Sequence, residues 1–482
     1  MDLTAIQRFR QANVLIVGDF MLDKYIGGDV QRISPEAPVP ILKMLWESDR
    51  LGGAGNVVNN IQSLSAKARV LCCIGEDEAG GRLVSLLRDT GADVRFLQKS
   101  TELPTIKKTR IVARNQQVIR IDCDGSMAVP ACFQGRVQEQ LDEIFSGIDV
   151  LVISDYGKGT ITYDLAQLVI GRAHAGGVPV LIDPKGNDWG KYSGATLCTP
   201  NLRELSDVCG KELAQDMEDE IRAAACELCR RYALEHVLVT RSEMGMSLVS
   251  KSGEKIDFPA QKKEVIDVSG AGDTVISVMA LGMAAGSGLE DCCRLANAAA
   301  DIVVSKFGTA TASIDELIGH VFTAGKKIVT REEAAYLARG LHEQGKRIVF
   351  TNGCFDLIHA GHIFSLEQAK ALGDVLIVGV NSDRSIRGLK GEARPIISEG
   401  DRACLLKSLR MVDYVAIFDE DTPEELIQAV QPDVLVKGRD YEGAQVAGRD
   451  VVEARGGNVA LIDLKPGLST TAIIHKIQSI GS

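Results

Sequence analysis

IDVSGAGDTV, residues 266–275, decides how the first two thirds of the chain are read. Three small residues, Gly270, Ala271 and Gly272, stand before Asp273, and an apolar run of helical character follows to about residue 285. Small residues ahead of a helix let backbone N–H groups converge on an anion, and the helix N-terminus adds the positive end of its dipole. A carboxylate at that point repels a phosphate. It makes chemical sense where Asp273 takes the proton from a hydroxyl that then attacks a phosphoryl group held by those amides. Taken alone, the stretch is also a glycine-rich turn with an aspartate cap, so the choice falls to the rest of the chain.

At 482 residues the chain exceeds one ordinary core, and two to four domains are expected. Its 45% hydrophobic and 25% charged residues are those of a globular protein. A net charge of −11 argues against non-specific binding to nucleic acid or to an anionic membrane. No apolar run reaches the roughly 18–20 residues that span a bilayer. The first strand follows the N-terminus without a signal-peptide core, so a cytoplasmic protein is expected. The cysteine pairs Cys72/Cys73, Cys226/Cys229 and Cys292/Cys293 lie in strand-like or helix-like stretches and read as buried thiols, not as a disulfide scaffold or a zinc site.

Taken in order, NVLIVG (13–18) is an apolar run of buried-strand type that ends at Asp19, with Asp23 four residues on. Carboxylates just past a strand's C-terminal end sit where an open α/β sheet binds its ligand, and they suit sugar hydroxyls or a plain surface turn. Residues 25–48 carry alternating segments and three prolines, and read as a small β excursion, a lid. LGGAGNVVNN (51–60) opens a helix: its glycines, Gly53 among them, allow close backbone approach, and Asn56 offers both donor and acceptor. Strand and helix signals then alternate, which implies a mostly parallel sheet covered on both faces. Residues 106–122 alternate in a more antiparallel manner. Asp183-Pro184-Lys185-Gly186 and Asn201-Leu202-Arg203-Glu204 follow strands. Asn201 and Glu204 share a helix face, fit either to orient a hydrated Mg²⁺ or to form a capping box.

Residues 308–340 show no clear strand and read as a connection. The pattern restarts at Lys346 with RIVFTNG and CFDLIHAGHIFSLEQAKALG. His359 and His362 stand three apart at a helix start beside Gly353 and Gly361, a placement for hydrogen bonds to a nucleotide's phosphates. Lys437 supplies a cation at a later strand end, and Ser469, Thr470 and Thr471 open a terminal helix with hydroxyls and amides for phosphate. This block contains no candidate general base.

The first block resembles the ribokinase-like carbohydrate kinases: GGAGN at 52–56, NLRE at 201–204 and DVSGAGDTV at 267–275 are similar to three of that family's motifs, in order. The resemblance implies Asp273 as catalytic base and Gly270, Ala271 and Gly272 as anion hole. It further implies MgATP as donor with Asn201 and Glu204 near the Mg²⁺ and phosphates, and Asp19, Asp23, Gly53, Asn56 and Lys185 on the sugar side. The second block resembles the cytidylyltransferase-like nucleotidyltransferases through TNGCFDLIHAGH at 351–362 and GLSTTAII at 467–474. There the resemblance implies His359 and His362 at the reacting phosphates, and Gly353, Phe355, Asp356, Arg402, Lys437, Ser469, Thr470 and Thr471 with the nucleotide. Arg439 stands where that family pattern has glycine.

The expected architecture is α/β, with two doubly wound domains: a ribokinase-like domain with a small β lid over residues 1–320, a linker over 321–344, and a Rossmann-like nucleotidyltransferase domain over 345–482. Kinase first and nucleotidyltransferase second resembles the bifunctional heptose enzymes of lipopolysaccharide precursor synthesis. GDFMLDKY (18–25), SDYGKG (154–159), LVKGRDY (435–441) and LSTTAIIHKI (468–477) carry the same resemblance. It implies phosphorylation of a heptose 7-phosphate at C1, transfer of AMP from ATP to heptose 1-phosphate, a separate phosphatase between the two steps, and a homodimer. The same chemistries on another phosphosugar or polyol, or one active domain beside a nucleotide-sensing one, remain alternatives.

Overall fold

Asn13–Gly18 is buried on both faces because it runs through the middle of a nine-stranded sheet. The computed structural model describes residues 3–463 apart from 114–115, 124–128, 261–264, 307, 324–326, 344 and 442–445. The chain divides into two compact units, Met1–Leu317 and Ile318–Ser482.

In the first unit the strand order is Lys255–Phe258, Met246–Ser250, His236–Thr240, Leu197–Cys198, Val180–Asp183, Val150–Ser154, Asn13–Gly18, Lys67–Gly75 and Asp93–Ser100. The last seven pair in parallel and the first two form an antiparallel edge. Side chains alternate across the sheet. Leu15 and Val17 enter one large core with Leu151, Ile153 and the helix Tyr163–Ala175. On this unit's sheet the helices Ala54–Ser63 and Ala271–Ala284 pack against each other and against the central strands. Each fully buried Val, Leu or Ile contributes about 1.5–3 kcal/mol. Because the central strands are parallel, Asp19, Asp155, Asp183 and Asn201 are delivered to one end, where open α/β sheets hold ligands.

The excursion is larger than residues 25–48. Phe20–Ile33 and Pro40–Gly53 form a long antiparallel ribbon, and Ile106–Ala113 and Gln116–Cys123 complete a four-stranded lid sheet. Residues 106–122 are antiparallel only within their own hairpin: Ile106–Ala113 runs parallel to Phe20–Ile33.

The second unit is an all-parallel six-stranded sheet in the order Ile328–Val329, Tyr414–Phe418, Val375–Asn381, Ile348–Gly353, Val434–Gly438 and Asn458–Ile462. Separate apolar clusters cover its two faces. Much of the stretch expected to be a linker belongs to this unit. Ile328–Val329 is an edge strand, and the helix Arg331–Glu343 sends Ala334, Leu337 and Ala338 into the core. A two-residue strand is too short to show a period, and the helix reads as amphipathic without revealing what it covers.

These boundaries make a prediction. A fragment beginning at residue 318 will fold cooperatively. One beginning at residue 345 will lose an edge strand and three core side chains, exposing Tyr414–Phe418 as a bare edge. It will melt well below the longer fragment or aggregate, as read by circular dichroism. Equal melting temperatures would show that 318–344 is a linker.

Candidate active sites

Gly270 caps the helix Ala271–Ala284 in the left-handed region (φ 82°), and a side chain there would strike the Asn56 amide. That crowding reflects the central contact: Asn56 Nδ2 donates to Asp273 Oδ2 at 2.7 Å, and Tyr156 Oη donates to Oδ1 at 2.9 Å. One turn on, Thr274 donates to Asn60, so the two glycine-led helices are bonded side by side. Asp273 is 6% exposed. Burial pushes its carboxyl up to about 6, the two hydrogen bonds pull the other way, and the Asp23 charge adds to the rise. The Ala271 N–H is taken by the Val268 carbonyl at 3.3 Å, and the first helical bond runs from the Thr274 N–H to the Gly270 carbonyl. The Gly272 and Asp273 amides between them have no helical acceptors and point toward an anion beside the carboxylate. Gly53 (φ 57°) caps the helix Ala54–Ser63, where a side chain would meet the Asp19 carbonyl oxygen.

Asp19, expected among sugar ligands, lies beneath the site. Its carboxylate is fully buried and accepts the backbone N–H groups of Tyr156, Lys158 and Thr160 at 2.9–3.0 Å. It pins the SDYGKG loop and so positions the Tyr156 hydroxyl on Asp273. The SDYGKG motif is visible in the sequence, but nothing local to it assigns Tyr156 a role. Asp23 is buried on the lid and paired with Arg110 at 2.8 Å.

Asn201 and Glu204 form a complete capping box on the helix Leu202–Cys209: Asn201 Oδ1 accepts from the Glu204 amide (2.9 Å) and Glu204 Oε2 from the Asn201 amide (3.1 Å). Lys185, expected beside the sugar, instead pairs with Glu204 Oε1 at 2.8 Å. Next to them Asp183 is pushed well above the usual carboxylate range, by burial first and then by the charges of Asp273 and Glu204. Among the described residues no cluster of three or more His, Cys, Asp or Glu forms a cage for a metal. Crowded oxygen donors with spare lone pairs fit Mg²⁺ differently, as an ion held mainly by waters and phosphates with carboxylates in an outer layer.

In the second unit His359 caps the helix Ala360–Lys370, its Nδ1 accepting the Gly361 amide at 3.1 Å. That leaves the proton of the neutral ring on Nε2. The His362 ring stacks on it at 4.0 Å and touches the Phe355 ring at 5.2 Å. Burial, with the His359 and Lys390 charges, holds His362 down to about 4, so it is neutral near pH 7. Phe355 occupies the left-handed region (φ 48°), and its ring lies over Gly353, where a β-carbon would stand 3.2 Å away. Lys437 reaches Asn352 Oδ1 at 2.6 Å, and burial lowers its ammonium to about 8.

Two residues expected at the nucleotide are committed elsewhere. Asp356 is 2% exposed and accepts from Arg394 and from the amides of Ile396 and Ile397. Arg402 is fully buried and donates to the carbonyls of Cys354 and Ile397 and to Asp383. Both brace the loop that carries Cys354 and Phe355. Ser469, Thr470 and Thr471 lie outside the described residues. Arg439 pairs with Asp463 at 2.8 Å. The paired cysteines of the first unit are buried thiols. Among the described residues no helix is long and apolar enough to cross a membrane.

Residues 11–317 match the pfkB family carbohydrate kinases and residues 350–476 match the cytidylyltransferase-like family. Bifunctional protein HldE of Pelobacter propionicus is 46% identical over 487 residues, covering 99% of each chain. The protein of the same name from Syntrophotalea carbinolica is 45% identical, also covering 99% of each. Phosphofructokinase-2 of Escherichia coli, in complex with potassium, aligns with 64% of this chain and 98% of its own (TM-score 0.54, 24% identity), which shows the fold of the first unit. Arabidopsis thaliana ribokinase aligns over 64% and 98% (TM-score 0.51, 19% identity). The chain belongs to the pfkB family of carbohydrate kinases and, along nearly its whole length, to the family of bifunctional protein HldE.

Proposed function

We propose that the first unit transfers the γ-phosphoryl group of ATP to the C1 hydroxyl of D-glycero-β-D-manno-heptose 7-phosphate, and that the second transfers AMP from ATP to heptose 1-phosphate, giving ADP-heptose and pyrophosphate. The observation that carries the reading is Asp273: a buried carboxylate with a raised pKa at the start of a glycine-led helix, held by two donors. It takes the hydroxyl proton as the sugar oxygen bonds to the γ-phosphorus and ADP leaves, while the helix amides stabilise the charge on the phosphoryl group in transit. The sugar's identity rests on the wider motif resemblance.

Asp23, Gly53 and Asn56 line the sugar side of this reading, with Asn56 also orienting the base. Asn201, Glu204 and Asp183 lie on the phosphate side and would hold Mg²⁺ through its waters. The ion's chemistry is to neutralise phosphate charge and align the chain of phosphates. In the second unit the nucleophile is a phosphate, already anionic, so positioning and charge stabilisation suffice. His359 and His362 donate to the departing pyrophosphate, and Lys437 adds a cation. A phosphatase removes the 7-phosphate between the steps. A homodimer closing over the lid sheet would cover Met44, Leu45, Trp46, Ile119 and Ile121, all large apolar side chains left exposed. A reaction that consumes ATP and sugar phosphates is assigned to the cytoplasm in this reading.

Asp273→Asn is expected to lower the kinase step by roughly 10²–10⁴ and leave adenylyl transfer unchanged. His362→Ala is expected to lower adenylyl transfer by roughly 10²–10³ and leave the kinase step unchanged. Either substitution abolishing both activities in a folded protein would refute two independent sites.

The base works ionised, so kinase kcat/KM for the sugar will fall about tenfold per unit as pH drops below about 6. Asn56→Ala removes a donor that favours the ionised form, which moves this acid limb to higher pH. A limb that stays in place would separate Asn56 from the base.

A further inference from the structure

We propose that Lys185 is a catalytic residue on the phosphate side of the first unit: it gives up its partner Glu204 when that carboxylate turns to hydrated Mg²⁺, and its ammonium then holds the phosphoryl group in transit. The proposal rests on reading the first unit as an ATP-dependent kinase, and it moves Lys185 from the sugar side to the phosphate side.

Three adjacent strands, Leu197–Cys198, Val180–Asp183 and Val150–Ser154, deliver Asn201, Lys185 and Asp155 to one end of the sheet. The backbone of Lys185 is fixed there. Its N–H donates to the Tyr192 hydroxyl at 3.1 Å, and that buried hydroxyl donates to Asp155 Oδ2 at 2.7 Å. The Asp155 amide donates in turn to the Asp183 carbonyl at 3.1 Å. The Lys185 side chain is the part left to move. Its stem passes Gly157, where a β-carbon would stand 3.5 Å from Cγ, and the side chain is 51% exposed.

The head group occupies a cation's place on Glu204. The Asn201 amide holds Oε2, which leaves Oε1, and Lys185 Nζ meets Oε1 at 2.8 Å. An ion pair with a half-exposed partner is weak and screened by salt, so it gives way to a cation of higher charge. Hydrated Mg²⁺ arriving with ATP is such a cation, and carboxylates suit it. The released ammonium stays close to the chemistry. The Asp183 charge acts on Lys185, and the Asp273 charge acts on Asp183. One carboxylate therefore separates Lys185 from the base. A phosphoryl group passing between the base and Glu204 spreads charge over its outer oxygens, which a compact ammonium stabilises. Lys185 keeps its own protons throughout. Asp273 takes the hydroxyl proton, the sugar oxygen bonds to the γ-phosphorus, and the bond from that phosphorus to ADP breaks with its electron pair going to ADP.

The test compares full-length wild type, Lys185→Met and Lys185→Arg. Methionine keeps the stem beside Gly157 and removes the charge. Lys185→Met is expected to lower kinase kcat roughly 10²-fold, with KM for the sugar phosphate little changed and adenylyl transfer unchanged. Lys185→Arg should recover a large part of kcat. The second readout involves no turnover: Mn²⁺ alone is titrated into each protein and free Mn²⁺ is followed by electron paramagnetic resonance. The second unit contributes equally to all three proteins. With Glu204 no longer neutralised, Lys185→Met should bind Mn²⁺ roughly two- to fivefold more tightly. A merely structural ion pair would not give tighter metal binding together with slower transfer. Kinase kcat within a few fold of wild type, or Mn²⁺ bound no more tightly, would overturn the exchange while leaving the kinase reading intact. Wild type that transfers no phosphoryl group from ATP to a sugar phosphate would overturn the kinase reading and this role with it.

Discussion

A carboxylate taken out of water must be held by donors, or it protonates and stops being a base. In the first unit the donors come from far along the chain: Asn56 lies 217 residues and Tyr156 117 residues from Asp273. Much of the architecture follows from that requirement. The helices that begin at Ala54 and Ala271 must lie side by side, which needs glycine at both caps. Parallel strands bring the loops after Gly18 and Ser154 to the same end. Buried Asp19 then clamps the second loop so that the Tyr156 hydroxyl reaches its target. The compromise shows in the pKa. Burial raises it, the two hydrogen bonds restrain the rise, and the result lies near the bottom of the physiological range.

The second unit solves an easier problem, and its chemistry looks different. Nothing there has to remove a proton from an alcohol. Two stacked imidazoles at a helix start, one capping the helix and one kept neutral by burial and by the Lys390 charge, offer N–H donors. Such groups respond to charge as it develops on a leaving group. The surrounding charged residues, Asp356 and Arg402, are spent on holding the loop in shape.

Much of this was legible in the sequence. The apolar strands, the three kinase motifs in order and the HAGH turn all carry local signals, and the doubly wound sheets follow from their alternation. What the sequence hides is direction. A carboxylate after a strand can face a ligand or staple the next loop, and both uses favour the same residue. Asp19 and Asp356 turned out to be staples, and Arg402 and Lys185 found protein partners. Tyr156 carries no local signal because its role depends on a contact across the fold. The strands Ile328–Val329 and Asn458–Ile462 are edges with little periodicity of their own, so the second unit is larger than its motifs indicate.

The central claim is that one chain carries two phosphoryl chemistries on two separate sites, the first creating an anomeric phosphate and the second using one. Phosphorus NMR of the purified protein tests it most directly, with MgATP and heptose 7-phosphate in one tube and MgATP and heptose 1-phosphate in another. The account predicts a new anomeric phosphate with ADP in the first tube, and a sugar diphosphate with pyrophosphate in the second. Pyrophosphate in the first tube, or no sugar diphosphate in the second, would contradict it.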